Sequence, residues 1–179
     1  DGGRDAGIVV VESAGPVFSS GHDLKEMSSE LTHREYHELF SLCSDVMARL
    51  AMLPQPVIAK VQGIATAAGC QLVSACDLAY AGESARFATP GVNIGLFCST
   101  PAVALSRAVG RKHAMEMLLT GDFVDANEAQ RIGLINRAVP DSELDSFVLD
   151  LARKIASKSP ASLRIGKKFF SRQLQLPLT

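Results

Sequence analysis

The feature that most constrains the fold is an apolar strand that leads through a turn of very small residues straight into a helix. Residues 57–62 read VIAKVQ, residues 65–69 read Ala-Thr-Ala-Ala-Gly, and a short helix is predicted over about 69–75. The first N–H groups of a helix have no partner within it, and the helix dipole adds partial positive charge there. Small residues leave those groups uncovered, so the turn suits an anion or a carbonyl oxygen that gains charge during a reaction. A tight turn packed against another backbone explains the same residues equally well.

Strands and helices alternate along the whole chain, which predicts the α/β class. Besides the strand over 57–62, the apolar runs predict strands at 7–13, 77–81 and 134–139. Residues 83–97 are expected to form a short strand followed by a long loop.

Several helix boundaries are marked by local signals. Capping-box pairs stand at Thr32 with Glu35 and at Asp125 with Glu128, and Gly133 is typical of a helix end. Further helices are expected to begin at Pro101, Asp141 and Ser159, and the helix opened by Thr32 ends before Pro54 and Pro56. That helix carries an apolar stripe at spacings of three and four, made of Tyr36, Leu39, Phe40, Cys43, Val46, Met47 and Leu50.

The composition is that of one globular domain. The chain has 179 residues, of which 47% are hydrophobic and 21% charged. A net charge of −1 gives no overall field for nucleic acid or an anionic membrane, so neither is expected as a partner. No apolar run reaches the length of a membrane span, so none is expected. The chain begins just before a buried strand, so we expect it to start inside a longer protein.

Cysteine and histidine spacings favour ordinary structural roles. The cysteines at 43, 70, 76 and 98 form no zinc pattern and are predicted to be reduced thiols of an intracellular protein. His33 and His37 would share a helix face, which is interpreted as solvated and not as a metal site. From Leu151 onwards the chain has basic residues and no acidic ones, which is read either as a solvated helix face or as a phosphate site.

A second small-residue loop has similar features. Residues 17–27 read VFSSGHDLKEM, and Gly21 stands just before a predicted short helix. Two such loops can supply two backbone N–H groups to one oxygen atom.

These stretches resemble the crotonase superfamily, the enoyl-CoA hydratases and isomerases. Residues 17–27 are similar to its FxxGxDLKEM segment, and residues 57–96 are similar to its GxxxGGGxEL…CDxxxA…AxFxxPExxxG core. The resemblance implies the crotonase fold, a spiral of repeated ββα units. It implies a single domain over 1–179, with the spiral core at 1–140 and the start of a C-terminal helical region at 141–179. It also implies a fragment that lacks N-terminal strands and C-terminal helices.

The resemblance further implies a coenzyme A thioester as ligand, without another cofactor or a metal. It assigns the polarisation of the thioester carbonyl to the backbone N–H groups of His22 and Ala68, provided that the backbone at 68 tolerates a Cβ. It assigns substrate or coenzyme A binding to Ser20, Gly21, Asp23, Leu24, Lys25, Ala67 and Gly69.

The chain departs from the family pattern at both acid–base positions. Gln71 and Gly91 stand where hydratases have glutamates, and neither residue can accept a proton near neutral pH. We therefore expect weak or no ordinary hydration. His22 is a candidate replacement acid or base, and Asp23, Cys70 and Cys98 are weaker ones. Asp77 is interpreted as a structural acid at a helix–strand junction.

Three functions remain open at this point. The protein is an acyl-CoA-binding protein with little catalysis, an enzyme of different crotonase chemistry, or a non-catalytic assembly partner. The different chemistry is isomerisation, thioester hydrolysis or decarboxylation, using His22 or a water. The resemblance also implies a homotrimer or hexamer with an intracellular location, which is the mitochondrial matrix in a eukaryote and the cytoplasm in a bacterium.

Overall fold

A computed structural model describes residues 7–28, 31–174 and 176–177, and two β-sheets lie at its centre. The larger sheet is parallel, and its strands in spatial order are β1 (Val9–Val11), β2 (Val57–Val61), β4 (Leu78–Gly82) and β7 (Arg137–Val139). The smaller sheet contains β3 (Ile64–Thr66), β5 (Arg86–Ala88) and β6 (Val124–Asp125). Strands β3 and β5 are parallel, whereas β5 and β6 are antiparallel.

Strands β2 to β5 alternate between the two sheets, and each successive pair of them leads into a helix. Strands β2 and β3 precede α3 (Ala68–Ala75), and β4 and β5 precede α4 (Ser99–Ala108). Strand β1 is followed by Ser19, which forms an isolated bridge to Ala65 of β3, and then by α2 (His33–Met52). The chain is therefore built from repeated ββα units, and the predicted α/β spiral is confirmed.

The remaining helices surround this spiral. They are α1 (Leu24–Ser28), α5 (Arg111–Thr120), α6 (Ala126–Ile132), α7 (Leu144–Ala156) and α8 (Pro160–Gln173), with 3₁₀ turns at Pro90–Ile94 and Asp141–Glu143. None of the described helices combines the length and apolarity that crossing a membrane requires.

The predicted caps are confirmed. Thr32 forms the full capping box with Glu35, and Asp125 Oδ1 accepts a hydrogen bond from the Glu128 N–H at 2.8 Å. Ser159 caps α8, and Gly133 ends α6 with a left-handed backbone at φ 87°. These contacts join residues three apart, which is why the sequence alone reveals them.

The main core lies between the two sheets and the helices that follow them. Its side chains include Val61, Phe87 and Leu105, all with no exposed surface. A smaller cluster around Ile58 and Val148 packs α7 on the parallel sheet. Burying side chains of this size stabilises the fold by about 1.5–3 kcal/mol each.

Four predicted boundaries need correction. Strand β3 was expected as part of a turn, but it pairs with both Ser19 and β5, and such long-range partners leave no periodic pattern in three residues. The strand predicted over 134–139 is confined to Arg137–Val139, and the loop within 83–97 contains the 3₁₀ turn Pro90–Ile94. The helix expected from Pro101 begins at Ser99 and ends at Ala108, and α5 follows separately after Gly110.

Asp77 has the structural role that the sequence indicated. Its Oδ2 accepts hydrogen bonds from the Val57 N–H at 2.7 Å and from Lys167 Nζ at 2.6 Å. Lys167 Nζ also donates to Gln55 O at 3.0 Å, so this partly buried lysine anchors α8 to the start of β2. The other basic side chains from Arg153 to Arg172 are exposed, as on a solvated helix face.

Candidate functional site

The two small-residue loops found in the sequence lie side by side. Ser19 N donates to Ile64 O at 3.1 Å, and Thr66 N donates to Ser19 O at 2.9 Å. Gly69 packs directly on this ladder, because a Cβ there would fall far inside contact distance of Ser19 O and 2.8 Å from Ser19 Cβ. The ladder therefore holds the loop before α1 against the N-terminal end of α3.

The two loops turn by different means. Gly21 has φ +92°, and a Cβ there would lie 3.0 Å from Ala67 Cβ and 3.2 Å from Ala68 N. Ala67 has φ 50° and ψ −120°, and it is the non-glycine residue with positive φ among the residues described. Such a conformation costs about 1–3 kcal/mol for a residue with a side chain. From the sequence, the tolerance of a Cβ was a concern at Ala68, but Ala68 is the first residue of α3 and the strain falls one residue earlier.

A cavity of about 530 Å³ opens where these loops meet the 3₁₀ turn and α4. Six of the predicted site residues line this cavity: Ser20, His22, Leu24, Ala67, Ala68 and Gly91. Its apolar walls include Met27, Phe40, Ile94, Leu96 and Phe97. Gly21 and Gly69 lie where the two loops pack closely against each other. Asp23, Lys25 and Gln71 do not line this cavity.

Two backbone N–H groups on the cavity wall are unused. Neither the His22 amide nor the Ala68 amide donates to an acceptor within the part of the chain that the structure describes. Ala67 lacks a side chain that can cap α3, so the first turn of this helix stays uncovered. The arrangement can bind an oxygen atom that carries or gains negative charge.

His22 and Asp23 have different environments. The His22 ring meets Phe40 edge to face with 5.5 Å between centroids, and both residues line the cavity. Asp23 instead caps α1, because its Oδ1 accepts the Lys25 N–H at 2.8 Å. This use as a cap explains Asp23 without any role in proton transfer.

The space beside Gly91 is occupied. Its N–H donates to Cys98 Sγ at 3.3 Å, and its carbonyl accepts the Leu96 N–H at 2.9 Å. A Cβ at position 91 would lie 2.8 Å from Cys98 Sγ and 2.8 Å from Leu96 O. The segment that follows the 3₁₀ turn, beyond Gly95 with φ 77°, therefore fills the position where a longer side chain would begin.

Gln71 lies in a neighbouring cavity of about 330 Å³ between α2, α3 and α4. Its side chain is only 5% exposed, and its Oε1 is buried without a hydrogen-bond partner. Thr100 lines both cavities, so they adjoin each other at the start of α4. From the sequence, Gln71 is expected to reach a group bound at the small-residue turn; the structure places it on the wall of this second cavity, which adjoins the first.

The four cysteines are free. Complete burial, with a smaller contribution from nearby Cys98, raises the pKa of the Cys70 thiol to about 12. Burial likewise raises the pKa of Cys76 to about 12. Because only a thiolate is a good nucleophile or base, Cys70 is not a catalytic candidate, whereas Cys98 lines the first cavity.

Helix α2 has no buried residue although it carries a regular apolar stripe. Phe40 of this stripe lines the first cavity and Met47 lines the second. Helix α2 therefore covers the two cavities. Side chains that line a cavity and do not pack on the core remain partly exposed. The cavity walls at Ile94, Leu96 and Phe97 were not predicted, and the one signal for them in the sequence is an apolar cluster inside a predicted loop.

Comparisons with known proteins agree with this architecture. A family model described as enoyl-CoA hydratase/isomerase matches residues 2–179. A Mus musculus protein named "Enoyl-CoA hydratase domain-containing protein 3, mitochondrial" is 52% identical over 96% of this chain and 57% of its own length. The Homo sapiens protein of the same name is 53% identical over 96% of this chain and 56% of its own length. The chain thus spans a little under three fifths of these curated relatives.

Solved structures are similar throughout the chain. A crystal structure of human enoyl Coenzyme A hydratase domain-containing protein 3 matches with a TM-score of 0.94 and 50% identity, over 99% of this chain and 72% of that one. An enoyl-CoA hydratase structure from Mycobacterium smegmatis matches with a TM-score of 0.93 and 53% identity, over 96% of this chain and 66% of that one.

Proposed function

The chain belongs to the enoyl-CoA hydratase/isomerase family, and from this premise we propose that it binds an acyl-CoA thioester in the first cavity. The backbone N–H groups of His22 and Ala68 hold the thioester carbonyl oxygen. The acid–base pair of a hydratase is absent, so ordinary hydration is weak. The protein acts in acyl-CoA or fatty-acid metabolism.

The observation that carries this proposal is the pair of unused backbone N–H groups at one cavity wall. Backbone donors normally find partners, so two unused ones in residues that line the same cavity are suited to a ligand oxygen. Removing one donor from such a pair typically costs about 3–4 kcal/mol of transition-state stabilisation. The apolar walls beyond the donors suit the acyl part of the ligand.

The weak hydration follows from residue chemistry. Gln71 cannot exchange a proton near neutral pH, and Gly91 has no side chain. Losing positioned acid–base catalysis lowers a rate by roughly 10²–10⁴-fold for each group. We expect hydration of crotonyl-CoA to stay well below about 10 s⁻¹, an ordinary enzymatic rate, and turnover at or above that rate contradicts this part of the proposal.

The donor assignment is tested at Ala68. Proline at the first position of a helix is well tolerated but has no N–H, so Ala68→Pro deletes one donor while Ala68→Ser retains it. We expect the proline variant to weaken acyl-CoA binding several-fold and to reduce the shift of the thioester C=O stretch in infrared difference spectra. Thermal unfolding of both variants checks that each is folded. Equal affinity and equal carbonyl shifts in two folded variants contradict the assignment.

A second candidate is an enzyme of different crotonase chemistry that uses His22. The observation in its favour is that the His22 ring packs on Phe40 within the same cavity. His22→Ala keeps the backbone N–H but removes the ring. If a screen of acyl-CoA thioesters finds turnover, this candidate expects His22→Ala to abolish it while binding persists, and undiminished turnover contradicts it.

Assembly and compartment are part of the proposal. We propose a homotrimer or a hexamer in the mitochondrial matrix, because the similar curated proteins carry "mitochondrial" in their names. Light scattering of the purified protein tests the assembly, and a monomer over the micromolar range contradicts it.

A further inference from the structure

Ala67 has an unfavourable backbone conformation that a glycine would adopt freely. Its φ of 50° and ψ of −120° lie in a region that residues with a Cβ rarely occupy. Both of its backbone polar groups are held there, because the Ala67 N–H donates to Ala88 O at 3.0 Å and Ala67 O accepts the Gln71 N–H at 3.1 Å. Strain of this kind persists only where the surrounding structure imposes it, and it concentrates at functional sites.

The methyl group of Ala67 lies between the two loops of the site. A Cβ built on Gly21 would lie 3.0 Å from Ala67 Cβ, so this methyl group fills the space beside Gly21. Gly21 directly precedes His22 in the chain, and Ala67 directly precedes Ala68. The methyl group is therefore next to both of the residues whose backbone N–H groups are unused on the wall of the first cavity.

A glycine at position 67 would relax the backbone but would loosen this arrangement in two ways. It would remove the methyl group and leave a void between the loops. It would also let the peptide group that carries the Ala68 N–H adopt further orientations, because glycine has many accessible backbone conformations. Donors stabilise a charged oxygen best when their positions are fixed in advance. The strained alanine therefore lowers stability and fixes the donor pair.

We propose that Ala67 is a positioning residue, whose methyl group holds the two loops at the separation at which the His22 and Ala68 N–H groups both reach one carbonyl oxygen. The inference rests on the proposed function and adds the residue that fixes its geometry. It requires that stability and recognition of the carbonyl change in opposite directions when the methyl group is removed. A residue that only supports the fold would change them in the same direction.

Two ligands isolate the contribution of the carbonyl oxygen. Octanoyl-CoA carries it, whereas S-octyl-CoA is the thioether of the same chain length without it. In calorimetric titrations, the unaltered protein should bind the thioester about tenfold more tightly than the thioether, as expected for two hydrogen bonds of ordinary strength. In Ala67→Gly this ratio should fall to about twofold or less, because most of the hydrogen-bond contribution is lost.

Two further measurements separate positioning from folding. The midpoint of urea denaturation should rise in Ala67→Gly, because glycine removes the strain of the positive φ. Infrared difference spectra of bound octanoyl-CoA should show a smaller downward shift and a broader thioester C=O band, because the donors then occupy a range of positions.

The matched control is Ala75→Gly. It is the same substitution at a helical residue of α3, and Ala75 does not line the first cavity. Glycine within a helix is unfavourable, so this control should lower the denaturation midpoint. It should keep both the binding ratio and the C=O band of the unaltered protein.

Each outcome supports or overturns the inference. An unchanged ratio and an unchanged C=O band in folded Ala67→Gly overturn it, while the proposed function stands. A lower denaturation midpoint or an unfolded variant also overturns it, because the methyl group then supports the fold. If the unaltered protein binds octanoyl-CoA and S-octyl-CoA equally, or binds neither, the proposed function fails in its donor assignment or as a whole, and the inference fails with it.

Discussion

Gln71 and Gly91, the two positions that the sequence resemblance assigns to hydratase glutamates, have different surroundings. Gln71 keeps a side chain of the same length and shape, held inside α3 at 5% exposure. Gly91 has no side chain, and Cys98 Sγ together with Leu96 O fills the space where one would begin. Position 71 has room for a long side chain within a regular helix, whereas at position 91 neighbouring atoms leave no room for a side chain to begin.

The difference decides what can be restored by substitution. A glutamate at 71 needs no rearrangement of the backbone, because glutamine and glutamate have nearly the same shape. A glutamate at 91 collides with the carbonyl of Leu96, and a backbone atom cannot move aside like the end of a flexible side chain. Introducing a carboxylate is therefore a simple substitution at position 71, whereas at position 91 it requires the backbone to move.

The largest expected effect concerns the support of α3, the helix that carries Gln71. Gly69→Ala places a Cβ against Ser19 O in the ladder that supports α3, and we expect a loss of about 3 kcal/mol or more in the free energy of unfolding. Urea denaturation measures it. The matched control is Gly166→Ala in α8, where a Cβ meets nothing within 4 Å. The control should stabilise the protein by about 0.5–1 kcal/mol, and equal effects at both sites would show that the ladder is not the rigid support.

The next effect tests the filled space beside Gly91. Gly91→Glu should lower the free energy of unfolding by about 1–3 kcal/mol through overpacking against Leu96 O and Cys98 Sγ. It should not raise crotonyl-CoA hydration, even when combined with Gln71→Glu. Adding Cys98→Ala should recover part of the stability, since it removes one of the two obstructing atoms. A stable Gly91→Glu protein with increased hydration would mean that the turn opens readily.

A smaller effect sharpens the description of the α3 scaffold. Ala67→Gly should raise the free energy of unfolding by roughly 1 kcal/mol, because glycine adopts the backbone at φ 50° without steric cost and the gain exceeds its entropic penalty. Chemical denaturation at neutral pH measures the change. Ala68→Gly, one residue further into α3, is the control and should destabilise. Destabilisation by both substitutions would place the strain elsewhere.

The smallest effect is a pH dependence of the free energy of unfolding, caused by the buried Cys70 thiol of α3. Cys70 has its pKa raised from 9.0 to about 12 by burial, so above pH 9 the unfolded state loses a proton that the folded state keeps. Stability should therefore fall as the pH rises from 9 towards 12, by about 0.8 kcal/mol between about pH 8 and pH 9.5 for this thiol. Cys70→Ala should make the curve flatter. An unchanged slope would show that Cys70 titrates normally in the folded protein.

The amount that the sequence reveals depends on the range of each contact. The caps at Thr32, Asp125 and Ser159 join residues three apart, so the sequence alone predicts them. That Gln71 and Gly91 carry no carboxylate is likewise visible in the sequence, because it is a matter of residue chemistry. The two small-residue loops are visible there as well, because each is a run of neighbouring residues that ends where a helix begins.

Long-range packing decided the rest. Strand β3 exists because Ser19 and β5 pair with it, and no periodicity in three residues announces such partners. The strain falls on Ala67 because the ladder to Ser19 sets where α3 begins. Which cavity Gln71 faces, and what fills the space beside Gly91, depend on α2, α4 and Cys98. The sequence determined which groups this protein possesses, whereas the tertiary structure decided which space each group occupies. The physical reason is that close packing brings segments that are distant in the sequence into contact, and their side chains fill the space around each group.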